Sequence, residues 1–331
     1  MSAAPRSISP VAAVSTAAVA AVQAVPGGAA HHPGHHPGHH LARPRLYIDA
    51  RHGLGNRLRA IASAAAIAAR TERELVIVWE PDAHCRARFG DLFEHRGAVI
   101  ETGFAHLFAL AGGRLYNYME VEPGAQKDAP VLADEAPGMP AATQDDVYVR
   151  SAYPLVSPHR DWQAERAFLH TLAPTAEVRA RMRMVDVPSR VAAHVRMASG
   201  PGYEHLPHES PACWSARGHA EITAWRARSH ARHFMARLDA LVAADAADTI
   251  YLAADLPTTY AAFAERYGAR LRYLPRTLYD RSAEQLRDAL ADMLLLGRAE
   301  RFLGSTWSSF TDMAIRLAPV QPAVEMSGRD F

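Results

Sequence analysis

The chain has 331 residues, 49% hydrophobic and 21% charged, with 36 Lys+Arg against 35 Asp+Glu. That is globular composition, long enough for two ordinary domains, and a formal charge of +1 gives no basic footprint for nucleic acid or an anionic membrane surface. The two cysteines, Cys85 and Cys213, form no CxxC pair, which excludes a zinc knuckle or a disulfide-stapled fold, and no purely apolar run reaches the ~18 residues of a spanning helix.

Residues 1–44 carry no acidic residue and are rich in Ala, Pro, Gly and His. They read as a disordered tail. Arg6 is the only charge ahead of the mildly apolar stretch 11–25, too weak a pattern for an export signal, so a cytoplasmic protein is expected. Residues 31–40 read HHPGHHPGHH. Imidazoles suit Zn, Cu or Ni, but the repeated Pro and Gly forbid a helix that would preorganise them, so metal binding there is adventitious.

Residues 46–49 are predicted as a first strand, followed by a Gly-containing turn and a helix over 56–70 with Leu58, Ile61, Ala62, Ala65 and Ala69 on one side. Residues 75–79 (LVIVW) form the continuous apolar run of a buried parallel strand. From 101 to 150, Pro123, Pro130, Pro137 and Pro140 punctuate the chain and predict loops. Helical spacing returns after Trp162. Beyond it the pattern predicts strands at 191–196, 249–253, 271–274 and 301–303, alternating with helices at 221–242, 258–267, 282–296 and 308–317. Alternating β and α predict an α/β protein with two doubly wound parallel sheets, 45–185 and 186–320, facing a cleft, with 321–331 as a C-terminal tail.

Four stretches carry the chemistry. Gly53-Leu54-Gly55-Asn56 opens a helix, where bare backbone lets N–H groups approach an anion, and Arg57 and Arg59 add charge. The third Gly of the dinucleotide fingerprint is missing, which disfavours a nicotinamide oxidoreductase, and the Gly-Lys-Ser/Thr of a P-loop is missing too. His194-Val195-Arg196 ends a strand, so that the guanidinium fork of Arg196 suits phosphate oxygens. Asp292 lies in the apolar helix LADMLLL; read as buried it accepts two parallel donors such as guanine's edge, and read by periodicity it is an exposed helix position. Gly304-Ser305-Thr306-Trp307-Ser308-Ser309 places hydroxyls where they cap a helix or meet phosphate.

In order, these stretches resemble the GT-B fucosyltransferase superfamily, in particular the α-1,6-fucosyltransferases that include the bacterial nodulation enzyme, and more distantly the protein O-fucosyltransferases. The resemblance rests on GLGNRLRAIASAAAIAARTERELVIVW, HVRM, IYLAADLP and LRDALADMLLLGRAERFLGSTWSSF, and spans roughly residues 45–318. It implies inverting transfer of fucose from GDP-fucose to a hydroxyl of a glycan or other acceptor, with no metal and no cofactor. Carried over by position, Gly53, Gly55 and Asn56 line the diphosphate. His194 and Asp292 hold guanosine, and Arg196 meets the β-phosphate. Asp255 stands near the sugar or ribose, and Ser308 and Ser309 bind phosphate. Glu204 is the expected base, with Glu209 and His208 as runners-up. The chain departs from the α-1,6 pattern at Met197, where a second Arg is expected, at Gly200 in place of a Lys, and at Leu256 in place of an acid. Transfer from another GDP-sugar, or nucleotide and glycan binding without catalysis, are the competing readings.

Overall fold

The structure is a computed structural model that describes residues 43–136, 145–185, 189–210 and 213–331. The expected tail and its His-rich repeat lie outside these residues, save for Arg43 and Pro44. Arg43–Phe331 forms one compact unit.

In the first part of the chain, β1 (Arg45–Ala50), α1 (Leu54–Arg70) and β2 (Glu74–Val78) form a strand–helix–strand unit. Then come β3 (Phe93–Glu94), β4 (Ala98–Ile100), α2 (Ala105–Leu110), β5 (Arg114–Asn117) and β6 (Val147–Ser151). Next, α3 (Trp162–Thr171), β7 (Ala173–Pro174) and α4 (Ala176–Met182) lead to β8 (Val191–Val195), α5 (Ala216–Arg228) and α6 (Ala231–Ala243). The chain ends with β9 (Ile250–Ala254), α7 (Pro257–Tyr267), β10 (Leu271–Arg272), α8 (Ala283–Leu296), β11 (Arg301–Gly304), α9 (Ser309–Arg316) and β12 (Ala323–Met326).

Two five-stranded sheets result, ordered β4-β2-β1-β6-β5 and β10-β9-β8-β11-β12, with every pairing in both parallel. Renumbered by chain order within each sheet, the second is 3-2-1-4-5, the doubly wound order, and the first differs only in the exchange of its last two strands. β3 and β7 pair antiparallel outside both sheets. β8 and β9 are buried along their whole length, as strands covered by helices on both faces must be.

One continuous apolar core joins the sheets. It holds Leu58, Ile61 and Leu169 beside Leu290, Met293 and Met313, because α1 packs on α9 and α4 on α8. The fully buried pair Arg316–Glu165, 2.7 Å apart, ties α9 to α3 within it.

The structure departs from the sequence reading at four places. The span 101–150, expected as loops, contains α2, β5 and β6; these elements are short, and their local signal is diluted by the prolines around them. The helix expected over 221–242 is two helices, α5 and α6. Ser229 ends the first, and His230, in an extended conformation, caps the second by accepting from Arg232 N at 3.2 Å. The strand expected at 271–274 is limited to β10. The segment 321–331, expected as a tail, supplies β12. It pairs with β11, and its Glu325 binds Arg237 at 2.6 and 2.9 Å. Four residues are too short for periodicity to register.

Candidate functional site

In a doubly wound sheet a ligand binds beyond the strands' carboxyl ends where the winding reverses. In the second sheet that point lies between β8 and β11, and the polar residues of the two motifs meet there. Ser305, just after β11, donates to the His194 carbonyl at 2.8 Å and accepts from Arg196 N at 2.9 Å. His194 is buried, its ring stacked on Phe310 at 4.7 Å and its Nδ1 2.7 Å from Thr311 Oγ1. Burial drives its pKa down to about 3, so the imidazole is neutral.

Arg196 extends from the end of β8 and pairs with Asp255, just past β9. Asp255 also accepts from Met197 N at 3.0 Å and Ala198 N at 2.8 Å. Burial opposes its charge, but Arg196 and these N–H groups hold its pKa below the usual carboxylate value. Its role in this state is to anchor Arg196 and the turn after β8.

Two more arginines join the site, and the sequence reading singled out neither. Arg281 donates to the His84 carbonyl at 3.2 Å and lies 3.0 Å from His208 Nδ1; the other ring nitrogen of His208 is 3.0 Å from Arg196 and 2.9 Å from the Ala198 carbonyl. Arg226 donates to the carbonyls of Thr306 and Trp307, at 3.3 and 3.0 Å, bracing a turn in which Trp307 has φ +58. Its Nε is buried and has no partner among the described residues. Among the described residues, neither Arg226 nor Arg281 has a carboxylate within salt-bridge distance. Burial and then the Arg196 charge lower Arg226 to about 9 and Arg281 to about 10. His208 falls to about 3 through burial and its two arginine neighbours. Such an excess of desolvated positive charge is what a bound polyanion relieves.

The Gly turn reaches the same place. A methyl group at Gly55 would lie 2.6 Å from the carbonyl of Ser309, and one at Gly53 would meet Arg281 Nη1 at 3.4 Å. The N-termini of α1 and α9 therefore meet. α1 has no side-chain cap and no acid in its first turn, while Ser308 caps α9 by accepting from Thr311 N at 3.4 Å. Asn56 is half-buried in the first turn of α1 and Ser309 in that of α9. Both helix dipoles favour an anion.

Other expected residues are placed differently. Arg57 is fully buried. It donates to the carbonyls of His52 (2.7 Å) and Glu80 (2.9 Å) and to Asp82 (2.7 Å), over the Trp79 ring. It pins the Gly turn and adds no charge to the site. Arg59 is held by the Ala152 carbonyl at 3.3 Å and by the Tyr153 ring.

Asp292 is buried, so the exposed-helix reading is wrong. Its two oxygens are taken by the Tyr251 hydroxyl, at 2.6 Å, and by Arg276, whose guanidinium also lies over Tyr260. Burial raises its pKa against the pull of these two donors.

Glu204 stands apart from the network, exposed on the loop after β8, where its carboxylate accepts from Gly202 N at 3.0 and 2.9 Å. Glu209 is the buried acid of that loop, held by Ser199, by Gly200 N at 2.8 Å and by His219 at 2.7 Å. Thus His194, Arg196, Asp255, Ser308, Ser309, Gly53 and Gly55 come together, whereas Asp292 is engaged behind Arg276 and Glu204 lies at the loop tip.

No protein-family model matches the chain, and no curated protein does. Solved structures share its fold. A NodZ α-1,6-fucosyltransferase soaked with GDP-fucose superposes with a TM-score of 0.53 at 19% identity, over 84% of this chain and 94% of its own. The fucosyltransferase NodZ from Bradyrhizobium gives 0.52 at 19% identity over the same shares. POFUT1 in complex with GDP-fucose gives 0.51 at 12% identity, over 87% of this chain and 98% of its own. The chain therefore has the GT-B-like α/β fold seen in these fucosyltransferases. No helix among the described residues is long and apolar enough to cross a membrane.

Proposed function

We propose that the protein is an inverting glycosyltransferase that moves fucose from GDP-fucose to an acceptor hydroxyl without a metal. One observation carries this reading. Arg196, Arg226 and Arg281 cluster at the carboxyl end of β8, two of them without a carboxylate among the described residues, where the N-termini of α1 and α9 meet. The GDP-fucose complexes of proteins sharing the fold support the choice of donor.

The chemistry follows from that charge. Breaking the sugar–phosphate bond places negative charge on the leaving GDP. Preorganised guanidinium groups and helix N–H dipoles stabilise it most strongly where water is excluded. Arg281 takes the place of the second cation absent at Met197, whose thioether instead contacts Ala231 N at 3.0 Å. Glu204, exposed at the loop tip, takes the acceptor proton, and buried Glu209 holds that loop in register. Asp292 reads the guanine edge once Arg276, which holds one of its two oxygens, withdraws.

Incubation of purified protein with GDP-fucose, GDP-mannose and GDP-rhamnose, with release of GDP as readout, tests the reading. Hydrolysis of GDP-fucose above the others is expected. Preference for another GDP-sugar would transfer the mechanism to that donor. GDP binding with no turnover of any donor would make the chain a nucleotide-binding protein on this fold.

A further inference from the structure

A second polar cluster lies beside the Gly turn, formed by side chains that the donor site does not use. His52 follows β1, His84 follows β2, and Cys213 precedes α5. One nitrogen of each histidine and the Cys213 sulfur all lie within 4.8 Å of one another. Cys213 Sγ is 3.4 Å from His84 Nε2, and the two rings are 5.0 Å apart. Around a four-coordinate zinc ion, with bonds of about 2.0–2.1 Å to nitrogen and 2.3 Å to sulfur, neighbouring ligand atoms stand about 3.3–3.6 Å apart. The Cys213–His84 edge already has that length, and small side-chain rotations close the others.

We propose that His52, His84 and Cys213 form a Zn²⁺ site that clips the Gly turn to the segment before α5. Two imidazoles and a thiolate select zinc over the hard cations Mg²⁺ and Ca²⁺. The backbone that carries the two histidines is held in place. Asp82 accepts from His84 N at 2.8 Å and Cys85 N at 3.0 Å, and Arg57 holds the His52 carbonyl. His52 has φ +65, a conformation a side chain rarely adopts. A neutral imidazole offers a metal ion one nitrogen lone pair. On binding, the Cys213 thiol loses its proton to solvent and the sulfur bonds the ion; water completes the fourth position. The ion lies outside the donor chemistry, so the proposal stands independently of the fucosyltransferase reading.

Titration of the full-length chain with Co²⁺, under a phosphine reductant, tests it. A thiolate-to-cobalt charge-transfer band is expected, lost when Zn²⁺ is added. Residues 1–42 contain no cysteine, so the tail's histidines cannot produce this band. Cys213→Ser should abolish it, His52→Ala and His84→Ala should weaken Zn²⁺ binding roughly tenfold or more, and Cys85→Ser should leave it intact. Absence of the band in the parent, its survival in Cys213→Ser, or its loss in folded Cys85→Ser overturns the assignment. Should Cys213→Ser not fold, alkylation of the parent decides: Zn²⁺ is expected to slow modification of Cys213 at least tenfold, and equal rates with and without Zn²⁺ refute the site.

Discussion

Gly55 and Ser309 touch backbone to backbone: a methyl group added at Gly55 would stand 2.6 Å from the carbonyl carbon and oxygen of Ser309. This contact brings the first turn of α1 against the first turn of α9, so that two helix N-termini lie side by side. Gly55→Ala forces the helices apart, and overpacking of this kind costs about 1–3 kcal/mol. Urea unfolding should show that loss, and calorimetry a weaker GDP interaction. Gly53→Ala is the control, because its methyl would meet only the flexible end of Arg281, at 3.4 Å. Equal damage from both substitutions would count against the α1–α9 contact as the cause.

Arg196 and Glu204 should fail in different ways. Arg196→Ala is expected to remove both transfer and slow donor hydrolysis, and Arg196→Lys to remain impaired, because an ammonium cannot hold Asp255 and the leaving phosphate with one fork. Glu204→Gln should lower transfer by roughly 10²-fold while GDP affinity stays near the parent value. Steady-state assays of transfer and hydrolysis, side by side, distinguish the two. Unchanged transfer in Glu204→Gln would move the search for the base to Glu209, His208 and Asp255.

GDP should bind in preference to ADP and UDP, in competition with Arg276. Asp292→Asn keeps the Tyr251 hydrogen bond but presents an amide where a carboxylate must receive guanine's donors, so GDP selectivity should fall about tenfold or more. Arg276→Ala frees the acceptor edge and should tighten GDP binding. Removing either partner of this buried ion pair, by Asp292→Ala or Arg276→Ala, costs about 3–5 kcal/mol in stability by itself, so GDP affinity is compared only in variants whose urea unfolding shows a folded protein. Calorimetry that finds GDP and ADP equivalent in the parent would falsify the guanine assignment.

Acid should destabilise the fold through His194 and His208, both lowered to about 3. Above the unfolded-state value of ~6.5 both states hold neutral imidazoles, so these groups add no pH dependence. As pH falls from ~6.5 towards ~3, the unfolded chain binds two protons at these positions that the folded chain refuses, so these two histidines alone lower stability by up to about 2.7 kcal/mol per pH unit, and His52, lowered to about 4, acts in the same direction. Urea midpoints between about pH 7.5 and 5 should fall accordingly, and His194→Gln should remove about one proton from the slope. A flat profile would show that the two rings accept protons in place.

Turnover should persist in EDTA, because Arg196, Arg281 and the helix N-termini neutralise the leaving group and the zinc clip lies beside that chemistry. Thermal stability, by contrast, should rise when Zn²⁺ is restored. Loss of turnover in EDTA with recovery in Mn²⁺ or Mg²⁺ would require a catalytic metal.

Much of the architecture is written in neighbouring residues. The largely apolar run at Val191–Val195, the apolar run at Ile250–Ala254, the helical spacing of α1 and α8, and the glycines at the start of α1 are local signals, because burial on both faces of a strand or one face of a helix repeats within a few residues. So is the position of His194 and Arg196 at a strand end. What no local pattern contains is which distant side chains meet there. Arg226 comes from α5 and Arg281 from the loop before α8, and each joins Arg196 only because parallel strands carry successive crossovers to the same edge of the sheet. The same tertiary packing buries Arg57 under the Gly turn, seats Arg276 on Asp292, brings Cys213 to His84, and recruits Ala323–Met326 as a strand. Sequence alone determines where the helices and strands run, since their periodicity is set by adjacent residues. Which charges are free and which are already paired is decided only in the folded chain, because partnership depends on distance in space and on how much water the packing removes.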